Sequence, residues 1–230
     1  VDNTFMSPYF QQPIALGADI VVHSTTKYLN GHSDVVGGAV VAKYAARAQE
    51  LAWWANCTGV TGAPFDSFQT LRGMRTLGVR LERACANAGE LAQRLAKHAA
   101  VRATHYPGLE RHPEHALARK QQSGFGAMLS FELHGGARAV ERFVEGLEHF
   151  TLAESLGGVE SLVAHPSTMT HASMNAEARE RAGITDGLVR LSIGIEDATD
   201  LWTDLERGLE RARSPRRRSQ SAAITAEPSR

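Results

Sequence analysis

Ile20-Val21-Val22-His23-Ser24-Thr25-Thr26-Lys27 is a short apolar run that passes directly into hydroxyls and a lysine. Consecutive β-branched residues favour a strand, and the polar string after them marks where that strand leaves its sheet. Upstream, Asp2-Asn3 reads as the end of another strand. Residues 3–18 then leave room for a helical crossover, with a helix-like stretch at 13–16 stopped by Gly17. This pattern predicts a parallel βαβ unit whose two strands end on one sheet edge, about 4.8 Å apart if they are neighbours. Ligands of open α/β sheets bind at that edge. Asp2 and Lys27 are therefore expected to face one small ligand.

Outward from this stretch, Gly31-His32-Ser33-Asp34 and Gly37-Gly38 form a polar, glycine-rich turn, and 38–42 reads as a second buried strand. Helices are expected over 44–56, 64–77 and 80–99. The last is the clearest, with Leu81, Ala84, Cys85, Ala88, Ala92, Leu95, Ala96 and Ala99 recurring at spacings of three and four. Further on come a strand at 127–133, a helix at 136–147, a short strand at 151–153 and a helix at 175–182 capped by Asn175. A strand at 188–193 and a closing helix at 197–209, opened by Asp197, complete the pattern. The class is α/β with a smaller α+β C-terminal domain: residues 1–78, then 79–212, then a disordered basic tail at 213–230.

The 230 residues are 43% apolar and 22% charged, which excludes a collagenous or wholly disordered chain. No apolar run is long enough for a membrane span. Cys57 and Cys85 offer neither a disulfide framework nor a metal-ligand pair, so the expected compartment is reducing, such as the cytoplasm. The net charge of zero hides a tail with five Arg and one Glu on a mildly acidic body, which argues against a nucleic-acid-binding core. His23, His32, His165 and His171 lack partners at ligand spacing and read as polar turn residues, so no metal is expected. Trp53-Trp54 reads as core or subunit interface.

A carboxylate, a lysine and two hydroxyls at one sheet edge have a coherent use. Lysine condenses with an aldehyde cofactor, Ser and Thr hydroxyls donate to its phosphate, and a carboxylate keeps a pyridine nitrogen protonated. Alone, a Ser-x-Thr-Lys string is more often a solvated turn; the strand before it and the acid opposite favour the site. On pattern alone Arg190 points to solvent from its strand, and Glu154 is a surface acid.

The strings Val1-Asp2-Asn3-Thr4-Phe5, His23-Ser24-Thr25-Thr26-Lys27-Tyr28, Trp53-Trp54-Ala55-Asn56 and Leu71-Arg72-Gly73-Met74-Arg75-Thr76-Leu77 go further as a set. With Ala153-Glu154-Ser155-Leu156-Gly157-Gly158, His165-Pro166-Ser167-Thr168-Met169-Thr170-His171 and Val189-Arg190-Leu191-Ser192-Ile193-Gly194-Ile195-Glu196-Asp197, the chain resembles the pyridoxal-phosphate enzymes of cysteine and methionine metabolism, up to about Leu209. The resemblance implies a fold-type-I, aspartate aminotransferase-like PLP-dependent transferase, truncated at its N-terminus. It implies pyridoxal 5'-phosphate as cofactor, Lys27 as catalytic lysine, Asp2 at the ring nitrogen, and Ser24 and Thr26 at the phosphate. Arg190 is implied at the substrate carboxylate, Ser155 beside the lysine, and Glu154 facing a distal substrate amino group. The implied activity is γ-replacement of an O-acylhomoserine (O-succinylhomoserine) by cysteine, giving cystathionine for methionine biosynthesis. A cystathionine γ-lyase is the alternative, and a non-catalytic remnant or subunit-interaction fragment the further one. The implied partners are amino-acid substrates and, for full-length members, three further copies in a homotetramer, with no nucleic acid and no membrane. Family members also carry a large N-terminal part with a ring-stacking aromatic and a main-chain phosphate turn. Without that part, the 230-residue chain is expected to be incompetent alone.

Overall fold

The computed structural model of the chain describes residues 1–213, so the expected tail lies outside the described residues beyond Arg213. Strand β1 (Ile20–Ser24) stands where the apolar run predicts it. Asp2 bridges Val22 in parallel: the Asn3 amide donates to the Val22 carbonyl at 3.0 Å, and the Val22 amide to the Val1 carbonyl at 2.9 Å. The crossover differs from expectation. Helix α1 (Ser7–Phe10) is one turn, and residues 13–16, read as helix-like, form successive tight turns ending at Gly17 with φ +107°. Four residues before a left-handed glycine are too few to nucleate a helix.

Strand β2 (Gly38–Ala42) pairs antiparallel with β1, Val21 opposite Val41 and His23 opposite Ala39. Its expected burial is not found. Val40 and Val41 point to opposite faces and are both about half exposed, so neither face of the two-stranded β1–β2 sheet is fully covered at β2. Helices α2 (Ala45–Thr58) and α3 (Pro64–Met74) follow, and no side chain of α2 is buried. Trp53 and Trp54 meet edge to face at 4.7 Å and remain largely exposed, so they are not core of this chain.

Helix α4 (Leu77–Leu95) starts three residues before and ends four before the expected span. Leu77, Leu81, Ala84, Ala88, Leu91 and Leu95 make its buried stripe, and the division expected near Gly78 falls in its first turn. The rest of the described chain is built on a five-stranded sheet ordered β3-β4-β7-β6-β5. These strands are β3 (Val101–His105), β4 (Met128–Leu133), β5 (Thr151–Leu152), β6 (Leu162–Ala164) and β7 (Leu188–Ser192). All neighbours are antiparallel except β5 and β6. Helix α5 (His115–Gln121) lies between β3 and β4 in the chain, and α7 (Ala176–Arg181) between β6 and β7. Helix α4 and α6 (Gly136–Val144) pack on the sheet, and α8 (Ala198–Arg213) packs on both helices. Phe131 of β4 meets Phe143 of α6 edge to face at 5.4 Å in the centre of this core. Both expected caps form: Asn175 Oδ1 accepts from the Ala178 amide and Asp197 Oδ1 from the Thr199 amide, each at 2.8 Å.

Asp204 of α8 is buried, and its carboxylate accepts from the amides of Glu148, His149 and Phe150 at 2.8–3.3 Å. These bonds fix the chain where it enters β5, the strand leading to Glu154 and Ser155. Asp204→Ala leaves one buried and two part-buried amides without their acceptor and is expected to cost roughly 2–4 kcal/mol of stability, read from urea unfolding. A loss below about 0.5 kcal/mol would show that those amides find other acceptors.

Candidate active site

Beyond Ser24 the chain enters a wide helical turn, Thr25–Leu29, broken at Lys27 with φ −92° and ψ −133°. The Lys27 amine donates to Ser155 Oγ at 3.1 Å, across 128 positions of sequence. Burial, and secondarily the charge of Arg190, hold the lysine pKa below its usual value. Arg190 projects from β7 but not freely into solvent. Its Nη2 donates to the carbonyls of Glu154 at 2.5 Å and Ser155 at 3.3 Å. Burial lowers its pKa and the Glu154 carboxylate opposes that shift; the guanidinium remains charged at any working pH. Glu154 itself is exposed, and its carboxylate makes no hydrogen bond among the described residues. Sequence pattern alone leaves Arg190 in solvent because the carbonyls that hold it lie on a loop about 35 positions away.

On the other side of the turn, the Asp2 carboxylate accepts from the Thr4 amide at 2.9 Å. Hydrogen bonds from Thr4, aided by His23, hold its pKa below the usual carboxylate range, so it is ionised at neutral pH. Thr4 Oγ1 also accepts from the Ser24 amide at 2.8 Å, which ties the acid to the end of β1. Sequence chemistry alone does not single out Thr4; the Asp-x-Thr spacing of an Asx turn is the signal that points to it. Ser24 Oγ has no protein partner among the described residues, whereas Thr26 Oγ1 accepts from the Gly37 amide at 3.0 Å. Asp2, Ser24, Thr26 and Lys27 thus gather at one edge, and Ser155 and Arg190 are brought to it by the second half of the chain.

Two histidines depart from the expectation of polar turn residues. His23 is buried within β1, its Nδ1 without a hydrogen bond, and burial pushes its pKa down. His165 is also buried, with Nδ1 bonded to Thr168 Oγ1 at 2.9 Å and Nε2 within 3.0 Å of the Asp186 carbonyl. In both cases the flanking strand carries the ring inward.

An open cleft of about 640 Å³ adjoins the turn, and Thr26, Ser33, Asp34, Ser155, Glu160 and Leu162 are among the residues that line it. Ser33, in the left-handed region at φ +57°, donates its hydroxyl to the Glu160 carboxylate. The donor set suits pyridoxal phosphate. A lysine of lowered basicity can take the aldehyde, an ionised carboxylate can meet the ring nitrogen, and the unpartnered Ser24 hydroxyl can donate to the phosphate.

A lysine, an acid and hydroxyls set together at a strand end are the groups that a carbonyl cofactor with a phosphate calls for. Residues 1–210 match the family model described as Cys/Met metabolism PLP-dependent enzyme, and the chain belongs to that family. It is 57% identical over 212 residues to the cystathionine γ-synthase of Escherichia coli K12, covering 92% of this chain and 55% of that protein. It is 53% identical over 210 residues to the cystathionine γ-lyase of Bacillus subtilis 168, covering 91% of this chain and 55% of the relative. The solved cystathionine γ-synthase of Xanthomonas oryzae pv. oryzae, in complex with cystathionine, superposes with a TM-score of 0.90 at 65% identity, over 92% of this chain and 55% of that one. The chain therefore spans about half the length of the relatives it matches.

Proposed function

We propose that this chain supplies the catalytic lysine and the substrate clamp of a transsulfuration enzyme. Its reaction replaces the acyl group of an O-acylhomoserine, O-succinylhomoserine in particular, with the sulfur of cysteine. The carrying observation is that Lys27 and Arg190, from segments far apart in sequence, both hydrogen-bond the 154–155 segment, whose Ser155 lines an open cleft with Thr26. Lys27 would hold pyridoxal phosphate at its aldehyde, Asp2 at its ring nitrogen, and Ser24 and Thr26 at its phosphate. When bound, it supplies an electron sink for charge developing on the amino-acid substrate.

The chain's own residues do the rest. Arg190 takes the substrate α-carboxylate with a guanidinium already oriented by the Glu154 and Ser155 carbonyls. Lys27, whose pKa burial lowers, holds and returns protons at its Nζ, moving them between the substrate Cα and Cβ. Ser155 Oγ accepts from that amine and aims it. In the net reaction the acyl group leaves Cγ as a carboxylate and the cysteine sulfur bonds there.

The ring-stacking and remaining phosphate contacts belong to the part of the relatives that this chain does not match. Activity is therefore tested in a completed protein, with the remaining part of the E. coli relative fused ahead of Val1. Given O-succinylhomoserine and cysteine, it is expected to form cystathionine, and the 230-residue chain alone is expected to form none. Ammonia and 2-oxobutanoate without cystathionine would instead identify a γ-lyase, the reading that the B. subtilis relative supports. A cytoplasmic homotetramer serving methionine biosynthesis is part of the same proposal.

Glu154 sets the substrate class in this account. An exposed carboxylate beside Arg190 can meet the distal ammonium of a dipolar amino acid. Glu154→Ala is expected to lower kcat/KM for cystathionine about tenfold more than for short substrates without that group, as suits loss of one charge-assisted contact. Equal losses for both would remove Glu154 from the site.

A further inference from the structure

One buried charge has no part in the mechanism above. Arg80, in the first turns of α4, is only 7% exposed, and no carboxylate pairs with it among the described residues. Its donors go to neutral oxygens: Nη1 to the Tyr28 carbonyl at 2.9 Å, Nη2 to the Gly73 carbonyl at 2.9 Å, and Nε to Thr76 Oγ1 at 3.1 Å. An uncompensated guanidinium is costly to remove from water, and an apolar side chain of similar size would fill the space at less cost. The explanation lies in what the guanidinium holds.

Backbone approaches the guanidinium closely at two glycines. At Gly31, with φ +76°, a Cβ would come within 2.0 Å of Arg80 Nη1, and at Gly73 a Cβ would come within 2.1 Å of the Asn30 carbonyl oxygen. The backbone just after Lys27 and the junction of α3 with α4 thus close directly on the guanidinium. The opposite side of the turn is gripped too. Gly157, two residues after Ser155, lies so near Tyr28 that a Cβ there would sit 2.9 Å from the Tyr28 amide. Tyr28 is held between Arg80 on one side and the Ser155 loop on the other, and Lys27 immediately precedes it.

We propose that Arg80 is a positioning residue: by clamping the Tyr28 carbonyl it sets the Thr25–Leu29 turn so that the Lys27 amine meets Ser155 and lies near Arg190. The proposal rests on the reading of Lys27 as the reactive lysine, so the test first reads the cofactor-free chain, where activity plays no part. Lys27 is compared with the exposed Lys43, Lys97 and Lys120 by competitive amine labelling over a pH series, with each peptide quantified by mass spectrometry. Arg80→Met frees the turn, and Lys27 is expected to titrate closer to an ordinary lysine. Below its midpoint, labelling then slows about threefold or more relative to Lys43, since the rate follows the fraction of free amine. Arg80→Lys keeps one donor for the Tyr28 carbonyl and is expected to recover part of the difference.

If Arg80→Met precipitates, Arg80→Lys decides alone: a smaller shift in the same direction supports the proposal, and an unmoved profile overturns it. A lower melting temperature with the Lys27 profile unchanged relative to Lys43 also overturns it, since that is what a purely structural arginine gives. Borohydride trapping of pyridoxal phosphate in the completed protein separates the two readings. An adduct on another lysine rejects the role of Lys27, while an adduct on Lys27 with an unmoved labelling profile rejects only the role of Arg80.

Discussion

Lys27→Ala in the completed protein is expected to remove the visible absorbance of bound pyridoxal phosphate and the γ-replacement activity together. In the proposed reaction Lys27 has two tasks, holding the cofactor aldehyde and moving protons, and no other lysine of the chain lies at this edge. Lys43, Lys97 and Lys120 are all exposed on other parts of the described surface. General acid–base catalysis alone contributes about 10²–10⁴-fold, so kcat/KM is expected to fall by at least about 10³-fold. Ser155→Ala provides the graded comparison, because it leaves Lys27 in place but removes the acceptor 3.1 Å from the amine. A Lys27→Ala protein that kept its absorbance and more than about a tenth of its rate would contradict the assignment.

Arg190→Lys is expected to give the second-largest effect, and mainly on KM. The guanidinium forks onto a carboxylate through paired donors, which an ammonium cannot reproduce. The carbonyls of Glu154 and Ser155 also orient Arg190 at one nitrogen, and a shorter, rotatable lysine loses that orientation. A charge-assisted hydrogen bond is worth about 1.5–3 kcal/mol, which corresponds to a KM raised roughly ten- to a hundredfold. Kcat falls less, since Lys27 and Ser155 remain paired. The comparison across substrates with and without an α-carboxylate checks the cause: only those that carry the carboxylate lose affinity. Equal KM values for wild type and variant would return Arg190 to the solvent-facing role that its strand pattern suggests.

The parts of the fold legible in the sequence are those where a local pattern meets its own partner nearby. β1 follows from three consecutive β-branched residues, and the parallel bridge of Asp2 to Val22 from the room that residues 3–18 leave for a crossover. α4 follows from a stripe spaced by three and four, and the starts of α7 and α8 from Asn175 and Asp197. What could not be read depends on distant chain. β6 is a run of three fully buried residues, with no alternation to distinguish it from a loop, and β3 carries Arg102 and His105 on an edge with exposed positions. β2 shows the opposite error. An apolar run signals a strand, but its burial depends on another layer, and neither face is fully covered at β2.

The site divides in the same way. Asp2, Ser24, Thr26 and Lys27 are close in sequence and lie on one strand edge by topology alone. Ser155, Glu154 and Arg190 reach that edge only through the five-stranded sheet, and nothing in their own segments states that they do. Family resemblance named them; the hydrogen bond from Lys27 to Ser155 and those from Arg190 to the 154–155 loop give the physical reason. Thr4 and Arg80 support the turn from either side, and neither stands out in a sequence as a reactive group.

The central claim is that Lys27 is the lysine that takes the cofactor. Its most direct test is to load the completed protein with pyridoxal phosphate, reduce it with borohydride, digest it, and locate the phosphopyridoxyl group by mass spectrometry. One modified peptide from this chain is expected, carrying the group on Lys27, and none from the Lys27→Ala protein. Modification spread over Lys43, Lys97 and Lys120, or the same yield of adduct after Lys27→Ala, would contradict it.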